Sequence, residues 1–419
     1  MRRLSPATWP KPLLSALSQG LISGVSFCSA LALLHYGQGD DYSVYVLCIN
    51  AYLLLSSVLN ALLLQPLATL SCRMPAVAVR RALQFGMLCS LLLALSGALG
   101  LGLYRLISEA HATPVQAWGV LALSYALLLL RDLRRAAWLL DSQMCSLLKF
   151  DALYCALALL LLAWALWLGQ LALGAVLLAI SLPALPMILR GGRWTALRAG
   201  QNPSVGAAPR WREIWQCARW ALPGVLVTWV WGSGYWFYLD STQGKAAVAL
   251  LAASRLLFTP IGLINTGWGS YARPVFARLE HAGAHERKQL LVRRYSGGAG
   301  MLVLLYTLLL SLTLACWPQW MPARLGRAPM QTLIWAWGMY YLAQWLRGVR
   351  LTSILASAAG FRTAFHASLL ACALFYVLFL PLSLTLHDPV VCPLALMISE
   401  IGIYVYLLLK TPPMPVRVG

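Results

Sequence analysis

Arg255 stands in the apolar run 247–271, where a charge is out of place. A guanidinium at mid-bilayer costs about 2.5–3.5 kcal/mol, so it turns towards protein or a wet cavity. Thr259, Gly262, Thr266 and Gly269 follow it at +4, +7, +11 and +14. Helical periodicity puts all five on one stripe. Two chemistries fit this pattern. One is a cavity wall where the guanidinium grips an anion, most naturally a phosphate, through paired N–H bonds. The other is close helix packing through small residues, with Arg255 in a structural ion pair. A second charge at similar depth is Glu400, in the apolar run 392–410. It is open as a coupling group or as the structural partner of Arg255.

The remaining candidates are uncharged or lie near the ends of runs. Asn50, Ser57 and Asn60 share one side of the run 44–70, with Gln65 near its end. They can line a cavity or make interhelical hydrogen bonds. Trp229, Trp231, Tyr235, Trp236 and Tyr238 close the run 219–239. Such a cluster reads as an interfacial aromatic belt. The alternative is a sugar-stacking surface carried by Trp231, Tyr235 and Trp236. Lys149 and Asp151 open another run and read as a solvated surface pair. His35 and His366 sit near run ends, where histidines are ordinary.

These residues need elements to position them, and the composition says which kind. Sixty per cent of the 419 residues are apolar and only 11% are charged. A soluble domain carries about 25% charge. A membrane span takes about 20 apolar residues, so twelve spans use about 240. Twelve runs are readable: 12–36, 44–70, 83–107, 115–131, 150–168, 171–189, 219–239, 247–271, 299–316, 331–346, 364–386 and 392–410. The segment Arg131–Lys149 between the fourth and fifth reads as an interfacial amphipathic helix.

The formal charge of +20 raises nucleic acid as a partner, and position removes it. With the N-terminus inside, 27 of the 32 basic residues fall on cytoplasmic segments. Asp40, Asp41, Glu109, Asp240 and Asp388 fall outside. This is the positive-inside pattern, with both termini cytoplasmic. Anionic membrane lipids are the expected neighbours of those loops. The ten cysteines form no C-x-x-C pair, and no metal or cofactor is expected. No phosphate-binding G-x-x-x-x-G-K-[ST] loop and no H-E-x-x-H is present.

Gly191–Arg212 is the stretch most like a linker. It divides the chain into residues 1–190, a linker 191–212, and residues 213–419, with six spans on each side. A shift of 208 residues lays Pro66 on Pro274, each at the close of the second span of its half. Paired halves are a common transporter plan, with the substrate at their interface.

The chain resembles the multidrug/oligosaccharidyl-lipid/polysaccharide flippase superfamily in span number, inside termini, paired halves and length. The best local match is Ala249–Leu279. There, Arg255-Leu256-x-x-x-Pro260-x-Gly262, with Pro274 later, resembles the corresponding span of the peptidoglycan-precursor flippases. That resemblance implies that Arg255 lines a central cavity and meets a lipid pyrophosphate. Those flippases have two further spans and arginines in the first two, and this first span has none. The resemblance is therefore better to the twelve-span polysaccharide flippases. The multidrug exporters use membrane-embedded acids, and the first six runs here lack a central carboxylate.

The expectation is an all-α polytopic protein of twelve transmembrane helices in two six-helix bundles around a central cavity. Its expected task is flipping a polyprenyl-diphosphate-linked oligosaccharide across the bacterial inner membrane for cell-surface polysaccharide biosynthesis. Arg255, Thr259, Thr266, Asn50 and Asn60 would bind substrate. The resemblance adds a polysaccharide polymerase and a chain-length regulator as partners. The rivals are a cation-coupled exporter of drugs or metabolites and a membrane glycosyltransferase or ligase. The scarcity of acids and arginines on outer joints ranks the enzyme last.

Overall fold

The computed structural model of the chain describes residues 11–37, 40–64, 66–67, 74, 76–108, 115–140, 143–169, 171–190, 211–262, 264–265, 268, 272, 276, 279, 283–317, 327–354 and 360–410. Among these there are helices and turns and no strand. The first half holds α1 (Lys11–Tyr36), α2 (Asp41–Leu59), α3 (Ala76–Ser108), α4 (Val115–Leu140) and α5 (Met144–Trp167). Its last span is broken: α6 (Leu173–Ser181), a 3₁₀ turn at Leu182–Ala184, and α7 (Leu185–Arg190). The second half opens on α8 (Trp211–Trp229), a π turn at Val230–Gly234, and α9 (Tyr235–Gln243). Then come α10 (Lys245–Leu256), α11 (His285–Cys316), α12 (Arg327–Ile354), α13 (Gly360–Leu386) and α14 (Val391–Lys410). The protein is thus an all-α polytopic membrane protein. Among the described residues, α1, α2 with its π turn, α3, α5, α11, α13 and α14 are long and apolar enough to cross a membrane.

The lipid-facing sides are legible in exposure. On α3, Leu88, Leu92, Leu95, Leu99 and Leu103 are exposed. On α11, Met301, Leu305, Leu308 and Leu312 repeat that spacing. Steps of three and four put each set on one helical face, where an apolar solvent makes exposure favourable. The opposite faces pack closely. A Cβ on Gly102 would overlap the ring of Trp118, joining α3 to α4. A Cβ on Gly338 would come within 2.5 Å of Thr307, joining α12 to α11. Each half brings its third and fourth spans together over a glycine, as membrane helices commonly do.

The chain divides into two compact units, Met1–Leu226 and Val227–Gly419. The division falls inside α8 rather than in the linker 191–212, of which residues 191–210 lie outside the described set. The reason is packing: Ile214 is buried with Leu63, Leu67, Met74, Leu83 and Leu133 of the first unit.

Two expectations need correction here. No separate interfacial helix covers Arg131–Lys149. Instead α4 runs on to Leu140 and α5 starts at Met144. Arg131, Asp132 and Arg135 of that stretch make ion pairs within the first unit. Asp151 is no solvated partner of Lys149. It is fully buried and accepts hydrogen bonds from Ser18 on α1 and from Arg135 on α4, which also pairs with it at 3.3 Å. Asp132 accepts from Tyr52 at 2.5 Å and Ser56 at 2.9 Å, both on α2, and pairs with Arg131 at 3.0 Å. Arg131 lies 4.7 Å from the centre of the Tyr154 ring. The first unit is therefore laced by a charge-balanced network across α1, α2, α4 and α5. Asp151 is thus a fully buried carboxylate near the start of its span, where the sequence reading placed a solvated one.

Breaking one member strands the other in a low dielectric. Asp151→Ala is expected to lower unfolding stability by about 3–5 kcal/mol. The double variant Asp151→Asn/Arg135→Gln should recover most of that loss, read as thermal unfolding of the purified protein. By the same measurement Gly102→Ala should cost about 1–3 kcal/mol through overpacking, with Trp118→Leu relieving it.

Candidate functional site

The site around Arg255 lies in the second unit and begins with a proline. Pro260 has no N–H to continue the helix, and its ring crowds the preceding turn. Accordingly α10 ends at Leu256, residues 257–258 form a turn, and helix resumes at Thr259. The freed backbone finds substitutes. Phe258 N–H donates to the Arg255 carbonyl at 3.0 Å, and the Tyr306 hydroxyl donates to the Leu257 carbonyl at 2.7 Å. Arg255 is thus the second-last residue of an interrupted helix.

Its guanidinium is held by aromatic groups. Nη1 donates to the Tyr235 hydroxyl at 2.8 Å. The charge lies 5.5 Å from the centre of the Trp337 ring and 5.9 Å from that of Trp236. Tyr340 and Tyr341 flank it as well. Cation–π contacts of this kind stabilise by about 0.5–2 kcal/mol each. The neighbouring Ser254 Oγ accepts from Trp337 Nε1 at 2.9 Å, which fixes α12 against α10. Among the described residues, Arg255 has no carboxylate in ion-pair range.

The aromatic run at the end of the seventh span is delivered by the π turn. One extra residue per turn rotates the following helix, so Trp231, Tyr235 and Trp236 all face inward. They are 5%, 0% and 2% exposed. They form no interfacial belt; they wall in arginines. The widened turn is stabilised from α13, where the Tyr376 hydroxyl donates to the Val230 carbonyl at 2.8 Å. Gly234 is needed there, since a Cβ would lie 2.8 Å from that hydroxyl.

Glu400, fully buried, pairs with Arg347 on α12 and not with Arg255. Arg347 also lies 5.4 Å from the centre of the Trp231 ring, and Trp231 Nε1 donates to Ser399 Oγ at 3.1 Å. The sequence reading had assigned Arg347 to a cytoplasmic joint. It was missed because it lies one residue past the apolar run 331–346. Its spacing carried a signal: Tyr340, Gln344 and Arg347 recur at +4 and +7, one polar stripe on α12. The stripe is connected, with Gln344 Nε2 donating to the Tyr340 hydroxyl at 2.8 Å.

Other expected site residues lie as follows. Thr259 is half-buried just past the turn, where helix resumes after the element that carries Arg255. Thr266 and Gly269 lie outside the described residues. Asn50, in the first unit, is buried and its amide donates to the Val46 carbonyl of its own helix at 2.8 Å. Asn60 opens the π turn Asn60–Leu64 and is exposed. Among the described residues no group of His, Cys, Asp or Glu is arranged to hold a metal.

No protein-family model matches the chain, and no curated protein does. Solved structures do. A MATE transporter in a straight conformation superposes with a TM-score of 0.68 at 11% identity, over 95% of this chain and 93% of its own. The lipid II flippase MurJ, in an inward closed conformation, gives 0.68 at 11% identity, over 96% and 88%. A MOP superfamily transporter from Pyrococcus furiosus, with a binding pocket of reverse polarity, gives 0.63 at 11% identity, over 96% and 94%. Identities this low establish architecture, and nearly the whole of each chain takes part. The protein has the fold of the MOP superfamily transporters.

Proposed function

We propose that the protein is a flippase, not an enzyme, and that its substrate is a polyprenyl-diphosphate-linked oligosaccharide moved across the bacterial inner membrane for cell-surface polysaccharide biosynthesis. The observation that carries this reading is Arg255. It is a cation near the end of α10, inside an apolar run of the sequence, and among the described residues it is met by hydroxyls and aromatic faces rather than by a carboxylate. Such surroundings tolerate the charge and leave it open to an anion. A phosphate oxygen competes with a neutral phenol for the same N–H donors, and charge favours the phosphate. The glycan would follow the diphosphate through the protein while the lipid tail stays in the bilayer. Exposure of the site to each side in turn would complete the cycle, driven by unequal affinity in the two states. Both termini would lie in the cytoplasm, as the distribution of basic residues requires.

A cation-coupled exporter is the second reading. The MATE likeness favours it, as do the buried carboxylates Asp151 and Glu400 and the half-buried Asp132. Each of these is paired with an arginine, whereas a cation site needs an uncompensated acid.

A flipping assay on lipid-linked oligosaccharide in proteoliposomes tests the first reading. Losing a buried charged partner costs at least about 2 kcal/mol, so Arg255→Ala should slow flipping more than tenfold. Arg255→Lys should fall between, because a lysine keeps the charge and loses the fork. Full activity in the alanine variant at normal expression would remove Arg255 from the mechanism. Drug resistance on overexpression, with no effect on lipid-linked glycan, would favour the exporter.

A further inference from the structure

Arg255 is one of two guanidiniums on a single polar track. The track runs along α12 from Tyr340 past Gln344 to Arg347, seven residues or about 10 Å of helix. Tyr340 stands between the two arginines and is a near neighbour of Glu400 as well. Arg347 and Glu400 are unequally accessible. The Arg347 side chain keeps 17% of its surface and that of Glu400 keeps none. An incoming anion can therefore reach the guanidinium without Glu400 having to leave the protein. A diphosphate that links two esters carries a negative charge on each phosphorus, and Arg255 answers one of them.

We propose that Arg347 is a second anion-binding residue on this track, and that Glu400 occupies it as a built-in stand-in for the substrate's phosphate oxygens. The inference rests on the reading of Arg255 as a phosphate ligand and extends it. Arrival of the diphosphate exchanges one ion pair for another, so neither charge is left bare in a low dielectric. Glu400 has a donor to turn to. The Tyr340 hydroxyl accepts from Gln344, which leaves its own hydrogen for a carboxylate. Trp231 holds the Arg347 head group through the exchange by its ring face. Glu400 then acts as a competitor that sets the affinity, and Arg347 as the residue competed for.

The test is calorimetric binding of inorganic pyrophosphate to the full chain in nanodiscs. Arg347→Gln should weaken binding on the order of tenfold, and Glu400→Gln should strengthen it by a similar factor. The double variant should match Arg347→Gln, because the gain requires the arginine. Arg347→Lys should retain most of the binding, which separates charge from folding. If Glu400→Gln does not fold, Glu400→Asp should give a smaller gain of the same sign. Wild-type affinity in Arg347→Gln, or a gain that persists in the double variant, overturns the proposal and leaves the pair structural. If Arg255→Ala binds like the wild type while Arg347→Gln does not, the reading of Arg255 fails and Arg347 stands alone. Absence of binding in the wild type overturns both. A short prenyl diphosphate that binds more tightly than pyrophosphate, with the same variant pattern, identifies the ligand as lipid-borne. Equal affinities identify a soluble anion at the same site.

Discussion

A charge inside hydrocarbon must find its partner within the protein, and that constraint organises both units of this chain. Each one places buried or half-buried arginine on its fourth span. In the first unit these are Arg131 and Arg135 on α4, answered by Asp132 and Asp151. In the second it is Arg347 on α12, answered by Glu400. Asp151 and Glu400 tie α5 and α14 to the fourth span of their units, while Asp132 stands on α4 itself beside Arg131. Hydroxyls complete each network: Ser18, Tyr52 and Ser56 in the first unit, Tyr235 and Tyr340 in the second. The apolar faces of α3 and α11 carry no such specificity, since leucine meets lipid and protein about equally well.

The irregular helices follow from the same requirement. An unbroken α-helix offers few ways to concentrate large polar groups on one cation. The π turn at Val230–Gly234 re-aims the seventh span so that three aromatic residues face inward together. Pro260 stops α10 just beyond Arg255. Both interruptions expose carbonyls, and in both a tyrosine from another helix caps one: Tyr376 on Val230 and Tyr306 on Leu257. Backbone irregularity at membrane depth is tolerated where protein groups resatisfy it, and it tends to mark functional positions.

How much of this the sequence disclosed depends on how local each feature is. The spans, their number and the oddity of Arg255 are local, because apolar runs and one misplaced charge are visible in a window of twenty residues. The pairing of Glu400 is not local. Arg347 lies 53 positions earlier, and nothing in either run names the other. Asp151 was misread for a related reason: it stands next to Lys149 in the chain, but its helix turns it towards α1 and α4. The aromatic run was misread because its period changes inside a π turn, and a regular helical projection puts Trp231 and Trp236 on different faces. Composition finds the membrane; which groups meet inside it is settled by tertiary packing.

The two networks differ in one respect that bears on transport. In the first unit, Arg131 is paired with Asp132 and Arg135 with Asp151. In the second, Glu400 answers Arg347, and among the described residues Arg255 is met by phenols and indoles instead of a carboxylate. A balanced network gains nothing by admitting an ion. An unbalanced one, supported by phenols and indoles that release a guanidinium at small cost, is more stable with an anion than without it. Aromatic groups suit this role because they stabilise the empty cation by roughly 0.5–2 kcal/mol each, well short of what a carboxylate or phosphate provides. On the flippase reading proposed above, recognition of the substrate's head group belongs to the second unit, which carries Arg255 and Arg347.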